Sequence, residues 1–280
     1  LSVQYAPGNP NGYPDKAKTD GVIGKVTYSW RPSEDIMYYV TWSEGFRPGL
    51  LNRPVGSGND TYRVKAEVIS DEITNMEFGW KTILLDGQLR FNGSMFSVDV
   101  EGLQSTILDP AMNVNLFFSD NAANGTIRGM EGDFTYLTNY DGLSIAGAYS
   151  FLSSEITEKL LPTNDVVEGA EMAFAPGYQG NVRVRQEFGM SNGYVGHAQV
   201  QLVYSDGATS DIMEPNKAKQ NSYSYLDLRV GMSSDDITAE LYIDNVTDKR
   251  AEISNNFVFD RQRVTVIKPL TVGIRVKKNF

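Results

Sequence analysis

The chain alternates between apolar and polar side chains over most of its 280 residues, and this pattern restricts its fold more than any other feature. In residues 237–244 the apolar side chains occupy every odd position, and the polar ones occupy every even position. Residues 271–277 repeat the pattern with Val272, Ile274 and Val276 on the apolar side. A period of two is typical of a β-strand with one apolar face and one polar face. The sequence therefore predicts an all-β protein built from a series of such strands.

Eleven segments show this alternation. They cover approximately residues 20–31, 36–47, 70–81, 88–101, 125–138, 143–155, 174–189, 194–205, 222–232, 237–246 and 263–280. Residues 1–6 are interpreted as the end of one further strand, with residues 7–19 as the loop that follows it. Single-chain bacterial barrels have an even number of strands. Either the first residues complete a twelfth strand, or the segments form part of a larger barrel.

The connections between these segments alternate regularly between short and long. The short ones have tight-turn compositions and cover residues 31–35, 86–87, 139–142, 191–193 and 233–236. The long ones are rich in Gly, Pro, Asn, Asp and Ser and cover approximately residues 48–69, 103–124, 155–174, 205–222 and 245–263. Short turns at one end and long loops at the other are the layout of an outer-membrane barrel.

The overall composition resembles that of a water-soluble protein, with 41% hydrophobic residues and no run of eighteen apolar residues. A transmembrane helix is therefore not predicted. This test does not detect a transmembrane β-barrel, because only every second residue of a barrel strand contacts lipid. The net charge of −10 argues against nucleic acid as a partner. The absence of cysteine excludes disulfides and thiolate metal sites, but it selects no compartment.

Two details favour lipid over a protein core as the environment of the apolar faces. Aromatic residues are expected at the ends of these faces, as in the belts at membrane interfaces; they are Tyr28, Trp30, Tyr149, Phe151, Tyr194 and Tyr204. The opposite faces carry charges in mid-strand, such as Arg183, Arg185 and Glu187, which a water-filled lumen would solvate. The competing interpretation is a soluble antiparallel sheet with one wet face. That fold would need a second layer, for which no apolar segment remains.

Four stretches resemble sequence patterns of TonB-dependent outer-membrane receptors. Residues 38–49, YYVTWSEGFRPG, are similar to the strand Y-x-S-x-G-F-R-P-G of that family. Residues 240–250, ELYIDNVTDKR, resemble its penultimate strand, and residues 269–276, PLTVGIRV, resemble its closing strand. Residues 127–132, IRGMEG, resemble its G-x-E strand. The four matches occur in the family's order and together span nearly the whole chain.

The chain also departs from the family in three respects. Ala251 follows Arg250 where the family often has Tyr, and Lys278 occupies a lipid-side position where the terminal assembly signal usually has an apolar residue. The plug domain and the TonB-contacting box of the family are not found in the sequence. Because the family barrel has about twenty-two strands, we expect residues 1–280 to be the C-terminal half of one antiparallel, up-and-down transmembrane barrel, with 11–12 strands. A self-contained channel or structural barrel of about twelve strands is the competing reading.

The resemblance implies a function and several partners. A TonB-dependent receptor lies in the outer membrane of a Gram-negative bacterium and imports a scarce ligand, most commonly a ferric siderophore. The expected partners are the plug and N-terminal half of the same receptor, TonB, outer-membrane lipid and lipopolysaccharide, and a small-molecule ligand of unknown identity. The barrel-assembly machinery is expected to recognise the final strand through Phe280.

Candidate chemistry is sparse, and the sequence predicts no enzyme, no cofactor and no metal, catalytic or cofactor-binding residues. The single histidine, His197, is predicted on the lumen side of its strand, most simply as a solvated side chain. Arg47 at the extracellular rim either faces a ligand or, as we favour, pairs with a neighbouring carboxylate. Four loop aromatics either contact a ligand or pack the loops together; they are Phe117, Phe118, Phe257 and Phe259.

Overall fold

The computed structural model describes residues 16–52, 62, 64–108, 117–258 and 261–278. The side chains of residues 192, 257 and 258 lie outside this description, as do the predicted strand end at residues 1–6 and Phe259 and Phe280. Among the described residues, no helix is long and apolar enough to cross a membrane.

Eleven strands form one large sheet. They are β1 (Lys25–Ser33), β2 (Ile36–Arg47), β5 (Asp71–Leu84), β6 (Leu89–Leu108), β7 (Phe117–Leu137), β8 (Leu143–Lys159), β9 (Tyr178–Gly189), β10 (Val195–Ser205), β13 (Tyr223–Ser233), β14 (Ile237–Asp244) and β17 (Thr271–Lys278). Six shorter strands lie in the long connections. They are β3 (Leu50–Leu51), β4 (Glu67–Val68), β11 (Ala208–Thr209), β12 (Lys219–Gln220), β15 (Glu252–Val258) and β16 (Arg261–Val266).

The large sheet follows the chain in order, and each of its strands pairs antiparallel with the next one. Short turns join the strands at one end, for example at Leu85 and Asp86, whose positive φ values of 53° and 52° are typical of a tight hairpin. The long connections leave from the other end. This arrangement confirms the predicted antiparallel up-and-down topology. Among the described residues, β1 pairs only with β2 and β17 only with β14, so these two strands are the sheet's edges.

The cross-strand register gives the sheet one apolar and one polar face. Tyr28 lies opposite Val40, Val40 lies opposite Phe78, and Phe78 lies opposite Met95. These side chains are exposed, and the exposure continues to β17, where Ile274 is 75% exposed. Water-soluble monomers rarely expose apolar patches of more than a few hundred Å². An apolar face that spans eleven strands is therefore expected to contact lipid.

Nine aromatic rings form a continuous series on the apolar face, with neighbouring centroids 4.8–6.4 Å apart. In order across the sheet they are Trp30, Tyr38, Phe78, Trp80, Phe91, Tyr149, Phe151, Tyr178 and Tyr204. The series begins beside the short turn after β1 and ends beside the long connection after β10. Rows of opposed residues run perpendicular to the strands, and the strands of a barrel are tilted from its axis. The series of rings therefore runs diagonally across the sheet and joins the two ends at which aromatic belts were predicted.

The buried apolar cluster lies beside the long connections. Its members come from the loops and from the adjoining ends of the strands; they are Tyr62, Val100, Ile107, Phe118, Ala122, Ala123, Ile156, Leu161, Val166, Met172, Ile212 and Met213. We call this cluster the loop core. From the sequence, packing within the loops was considered only for four aromatic residues, one of which, Phe118, belongs to this core; the other members were not predicted.

The predicted closing strand over residues 263–280 was wrong in its extent. Residues Arg261–Val266 pair with Glu252–Val258 in a separate two-stranded ribbon, and the strand of the large sheet covers Thr271–Lys278. Pro269 lies between the two strands and has no N–H group to donate to a ladder. Strands β6 and β7 are longer than predicted, because both continue beyond a β-bulge between Val100 and Leu103.

Candidate functional site

The polar face holds an open cavity of about 700 Å³. It is lined by side chains from β2 to β13, including Tyr39, Glu77, Ser94, Glu131 and Asp133. Tyr39 lies directly opposite Gly79, so that its ring covers the glycine, and its hydroxyl donates a 2.5 Å hydrogen bond to Glu77. The sequence thus builds a polar pocket where the alternation of β2, β5 and β7 directs the polar residues to one side.

Carboxylates outnumber cations in the lining of this cavity, with Glu77, Glu131 and Asp133 against Lys81. Asp133 pairs with Arg90, whose Nη2 atom lies 3.1 Å from a carboxylate oxygen. Among the ion pairs of the described residues, none involves Glu77 or Glu131. Carboxylates on a concave wall attract cations most strongly where water is displaced. The wall therefore favours an occupant that presents cationic groups.

A second polar cluster covers the same face near the other edge of the sheet. The guanidinium groups of Arg229 and Arg275 each lie 5.6 Å from the ring centroid of Tyr242, in cation–π geometry. Arg229 also donates a 2.8 Å hydrogen bond to Asp244, while its buried Nη1 atom has no partner among the described residues. The cluster connects the side chains of β13, β14 and β17.

His197 belongs to this second cluster and is only 3% exposed, so the prediction of a solvated side chain was wrong. Its ring lies over Gly231, and its Nε2 atom is 3.3 Å from Glu240, whose other carboxylate oxygen accepts a 3.3 Å hydrogen bond from Arg275. The predicted position on the polar face is confirmed. The burial depends on Gly231 and Glu240, which belong to other strands and were not identifiable from the sequence around His197.

Arg47 at the rim pairs with a carboxylate, as the favoured interpretation predicted. Its Nε donates a 2.9 Å hydrogen bond to Asp71, which is 3% exposed, and its Nη2 contacts both Asp71 and the carbonyl of Gln104. The side-chain amide of Gln104 donates to the carbonyls of Pro48 and Ile69. The Arg47 guanidinium therefore ties the exits of β2, β5 and β6 together.

A cluster of hydrogen bonds lies directly after the end of β14. Asn245 is 2% exposed and has a φ of 52°. Its amide donates to the carbonyls of Lys249 and Lys268, and its carbonyl accepts from the N–H of Lys249. Asp248 accepts a 2.9 Å hydrogen bond from the N–H of Leu270. The stretch 240–250, noticed in the sequence as a pattern, thus has a physical role in holding the last long connection between β14 and β17.

One of the four loop aromatics belongs to the loop core. Phe118 is 3% exposed and packs in this core, which is the packing role considered above. Nearby, the Tyr62 hydroxyl donates a 2.5 Å hydrogen bond to Asp120, which is 1% exposed. Burial and this carboxylate raise the pKa of Tyr62, so the phenol stays protonated. The roles of Phe257 and Phe259 lie outside the described residues.

The pKa values of two loop aspartates shift in opposite directions, and this predicts opposite effects of their removal. Burial raises the pKa of Asp211, so the folded state loses stability as pH rises through that pKa. A hydrogen bond from the N–H of Leu270 lowers the pKa of Asp248, so its stabilisation is present above the unfolded value of about 4 and lost as pH falls. We expect Asp211→Asn to raise the melting temperature at neutral pH and Asp248→Asn to lower it. Both differences in melting temperature should disappear in acid. Thermal unfolding of the detergent-solubilised protein at a series of pH values from acid to neutral measures them. A change of the same sign in both variants at neutral pH would contradict the prediction.

Within the part of the chain that the structure describes, no group of three or more His, Asp or Glu side chains is arranged to hold a metal ion. The polar face is instead a surface of charged and hydrogen-bonding side chains. Its geometry suits contact with another polar body, while the opposite face suits lipid.

Comparison with known proteins supplies a family for this architecture. The family model described as "TonB dependent receptor-like, beta-barrel" matches residues 2–246. A probable TonB-dependent siderophore receptor, PiuA of Acinetobacter baumannii, is 24% identical over 147 residues, which cover 52% of this chain and 19% of PiuA.

Solved structures show the same fold. The ferric yersiniabactin uptake receptor FyuA of Yersinia pestis superposes with a TM-score of 0.71 at 18% identity, over 92% of this chain and 37% of FyuA. The ferric preacinetobactin receptor BauA of A. baumannii gives a TM-score of 0.69 at 17% identity, over 91% of this chain and 36% of BauA. The chain thus spans well under half the length of these relatives.

Proposed function

The chain belongs to the family of TonB-dependent receptor-like β-barrels, whose members lie in the outer membrane of Gram-negative bacteria, and from this we propose that the whole protein is an active-transport receptor for a ferric siderophore. The observation that carries the proposal is the two-faced sheet, with an exposed apolar surface across eleven strands and a charged concave wall behind it. The similar proteins named as siderophore receptors support the choice of ligand class.

In this proposal residues 1–280 are the C-terminal half of a twenty-two-stranded barrel. The two free edges of the described sheet, β1 and β17, support it, because an unpaired strand edge is not viable in lipid. The N-terminal half would pair with both edges. A closed channel of about twelve strands would instead require β17 to pair with a strand near the start of this chain.

The plug of the same receptor is the proposed occupant of the polar face. Glu77 and Glu131 support this placement, because two carboxylates without a cationic partner among the described ion pairs favour a body with cationic side chains. The plug would screen these charges from each other and block the lumen in the resting state. TonB, energised by the proton-motive force, would then act on the plug to admit the ligand.

The lipid and assembly partners follow from the same placement. The apolar face would contact lipid, and its outer part would contact lipopolysaccharide. The assembly machinery would recognise the last strand. Phe280, the residue predicted to carry that recognition, lies outside the described residues.

Uptake of iron by intact cells tests the proposal. A strain that relies on this receptor is grown without iron and given radioactive iron as ferric tris-catecholate, ferric tris-hydroxamate or ferric citrate. We expect uptake of at least one chelate, and we expect its loss on deletion of the receptor, deletion of TonB or addition of a protonophore. Uptake that continues without TonB would instead indicate a passive channel.

A further inference from the structure

A small cavity of about 150 Å³ lies where three of the long connections meet the wall, and we call it the loop-base cavity. The ends of β9, β10 and β13 contribute Gln179, Ser205 and Tyr223 to its lining. The connections after β8, β10 and β14 contribute the rest, including Phe174 and Gln220. Because Gln179, Ser205 and Tyr223 also line the larger cavity, the small one adjoins it on the polar side of the sheet.

Gln220 gives this cavity a buried polar group without a partner. The residue is 6% exposed, and its side-chain Nε2 atom is buried and has no hydrogen-bond partner among the described residues. It lies opposite Ala208, which also lines the cavity, so its side chain projects to that side of the β11–β12 pair. Buried amides are almost always hydrogen-bonded in native proteins, because an unmade hydrogen bond is destabilising. A bound molecule with an acceptor oxygen would complete this one.

Phe174 presents an aromatic ring to the same cavity from a strained backbone. Its φ of 54° lies in the left-handed region, which bulky side chains avoid. A hydrogen bond of 2.8 Å from its N–H to the carbonyl of Thr209 holds this conformation. The side chain is 49% exposed and does not belong to the loop core. Strained residues concentrate at binding sites, and an exposed ring beside a cavity is a surface on which a ligand packs.

The charged groups of the loop-base cavity are carboxylates. Asp206 and Glu252 line it, and none of its described lining residues is Lys, Arg or His. Asp206 accepts a 2.7 Å hydrogen bond from Tyr204, and Glu252 accepts one of 3.1 Å from Asn255. Both carboxylates have further lone pairs, and together they repel an anionic group. The cavity therefore fits a neutral group that donates hydrogen bonds as well as accepting one.

A sugar ring meets all of these requirements. A hydroxyl group both donates and accepts, and the C–H faces of a pyranose pack against aromatic rings as other apolar surfaces do. Drug-sized ligands occupy about 300–1,000 Å³, so this smaller cavity accommodates a single ring. We propose that the loop-base cavity binds a neutral pyranose, with Gln220 as donor, Asp206 and Glu252 as acceptors, and Phe174 and Tyr223 as the aromatic surfaces.

This site goes beyond the proposed uptake of iron and does not rest on it. Two sources bring neutral sugars to the mouth of the barrel: soluble glycosides, and the saccharide part of lipopolysaccharide. Both offer the same chemistry to Gln220 and the two carboxylates, so the experiment tests them in separate arms.

The test measures the binding of sugars to the intact receptor, purified in detergent and freed of lipopolysaccharide. The probes of the first arm are the methyl glycosides of glucose, galactose and N-acetylglucosamine. Sorbitol serves as a polyol without a ring, and methyl glucuronide serves as an anionic sugar. The second arm uses neutral oligosaccharide released from lipopolysaccharide. Saturation-transfer NMR detects binding, titration gives the dissociation constants, and heat modifiability of each variant verifies that the barrel is assembled.

Three variants locate the site. Gln220→Met removes the unpartnered amide, and Phe174→Gly removes the ring while allowing the φ of 54°. We expect each to bind the best glycoside about fivefold to tenfold more weakly, which is the effect of one hydrogen bond or one aromatic contact. The melting temperature should change little, since the first variant loses no partner and the second relieves strain. Gln201→Met, on the polar face but in the lining of neither cavity, is the control and should bind as wild type.

The charge of the sugar supplies a second readout. Methyl glucuronide should bind more weakly than methyl glucoside, and Asp206→Asn should reduce this difference because it removes one of the two repelling charges. Binding in either arm that weakens in Gln220→Met and Phe174→Gly supports the site, and the arm identifies the source of the sugar.

Three results would overturn the site. They are no binding in either arm, an affinity unchanged in both Gln220→Met and Phe174→Gly, and binding of sorbitol or methyl glucuronide as tight as that of the neutral glycosides. None of them bears on the proposed uptake of iron, because that uptake is tested separately with chelates that contain no sugar.

Discussion

Gly132→Val is expected to prevent most of the receptor from assembling. Gly132 lies opposite Gly93 and Tyr149, and the Tyr149 ring lies over it. A Cβ atom at this position would be 2.4 Å from the carbonyl oxygen of Asn92 and 2.6 Å from the Tyr149 hydroxyl oxygen. A side-chain ring can move away, but a backbone carbonyl in a strand ladder cannot do so without displacing its neighbours.

The expected loss of stability is about 2–4 kcal/mol, the sum of an overpacking cost and the loss of aromatic contacts in the ring series. The measurement is the fraction of protein that runs as the folded, heat-modifiable species, together with its transition temperature. Gly45→Val is the matched control, since a Cβ atom at Gly45 meets nothing within 4 Å. Adding Tyr149→Ala to Gly132→Val should restore part of the folded fraction. Equal behaviour of the Gly132 and Gly45 variants would show that the ring does not lie over the glycine.

Asn245→Ala is expected to lower stability by about 2–4 kcal/mol and to loosen the last long connection. The change removes the hydrogen bonds to the carbonyls of Lys249 and Lys268 and to the N–H of Lys249, and leaves these backbone groups without their partner. Each of these hydrogen bonds contributes about 0.5–1.5 kcal/mol to stability. Alanine also tolerates the φ of 52° less well than asparagine does.

Two further variants separate the causes. Asn245→Gly permits the left-handed backbone but still lacks the three hydrogen bonds, so it should recover only a small part of the loss. Thr247→Ala, in the same stretch, removes a single 3.4 Å hydrogen bond and should change stability by less than about 0.5 kcal/mol. Thermal unfolding and the rate of proteolytic cleavage within residues 249–268 measure the two effects. Full recovery in the glycine variant would mean that the backbone conformation, and not the side chain, holds the connection.

The sequence predicted strands best where turn residues mark both ends. Strand β2 has the predicted bounds, since a short turn precedes it and Pro48 and Gly49 follow it. The last strand was mispredicted because Val264 and Val266 alternate with polar residues as Val272 and Ile274 do. Alternation shows that a segment is a strand with two different faces, but it cannot tell a strand of the barrel wall from a strand of a loop ribbon.

The loop core and the polar clusters required the structure. Ile156, Leu161, Val166 and Met172 are spaced without a strand or helix period, so nothing in the sequence marks them as packing together. The burial of His197 depends on Glu240, 43 positions away along the chain. The face on which His197 lies, by contrast, followed directly from the period of its own strand.

The two environments of the sheet can be measured residue by residue along β5. Single cysteines introduced from residue 75 to residue 81 of an otherwise cysteine-free receptor would carry a spin label in native outer membranes. Collision with oxygen reports exposure to lipid, and collision with a water-soluble nickel chelate reports exposure to water. We expect high oxygen accessibility at Met76, Phe78 and Trp80 and low oxygen accessibility at Asn75, Glu77, Gly79 and Lys81. Nickel accessibility at Met76 and Phe78, or a profile without alternation, would contradict the assignment of the apolar face to lipid and with it the transmembrane barrel.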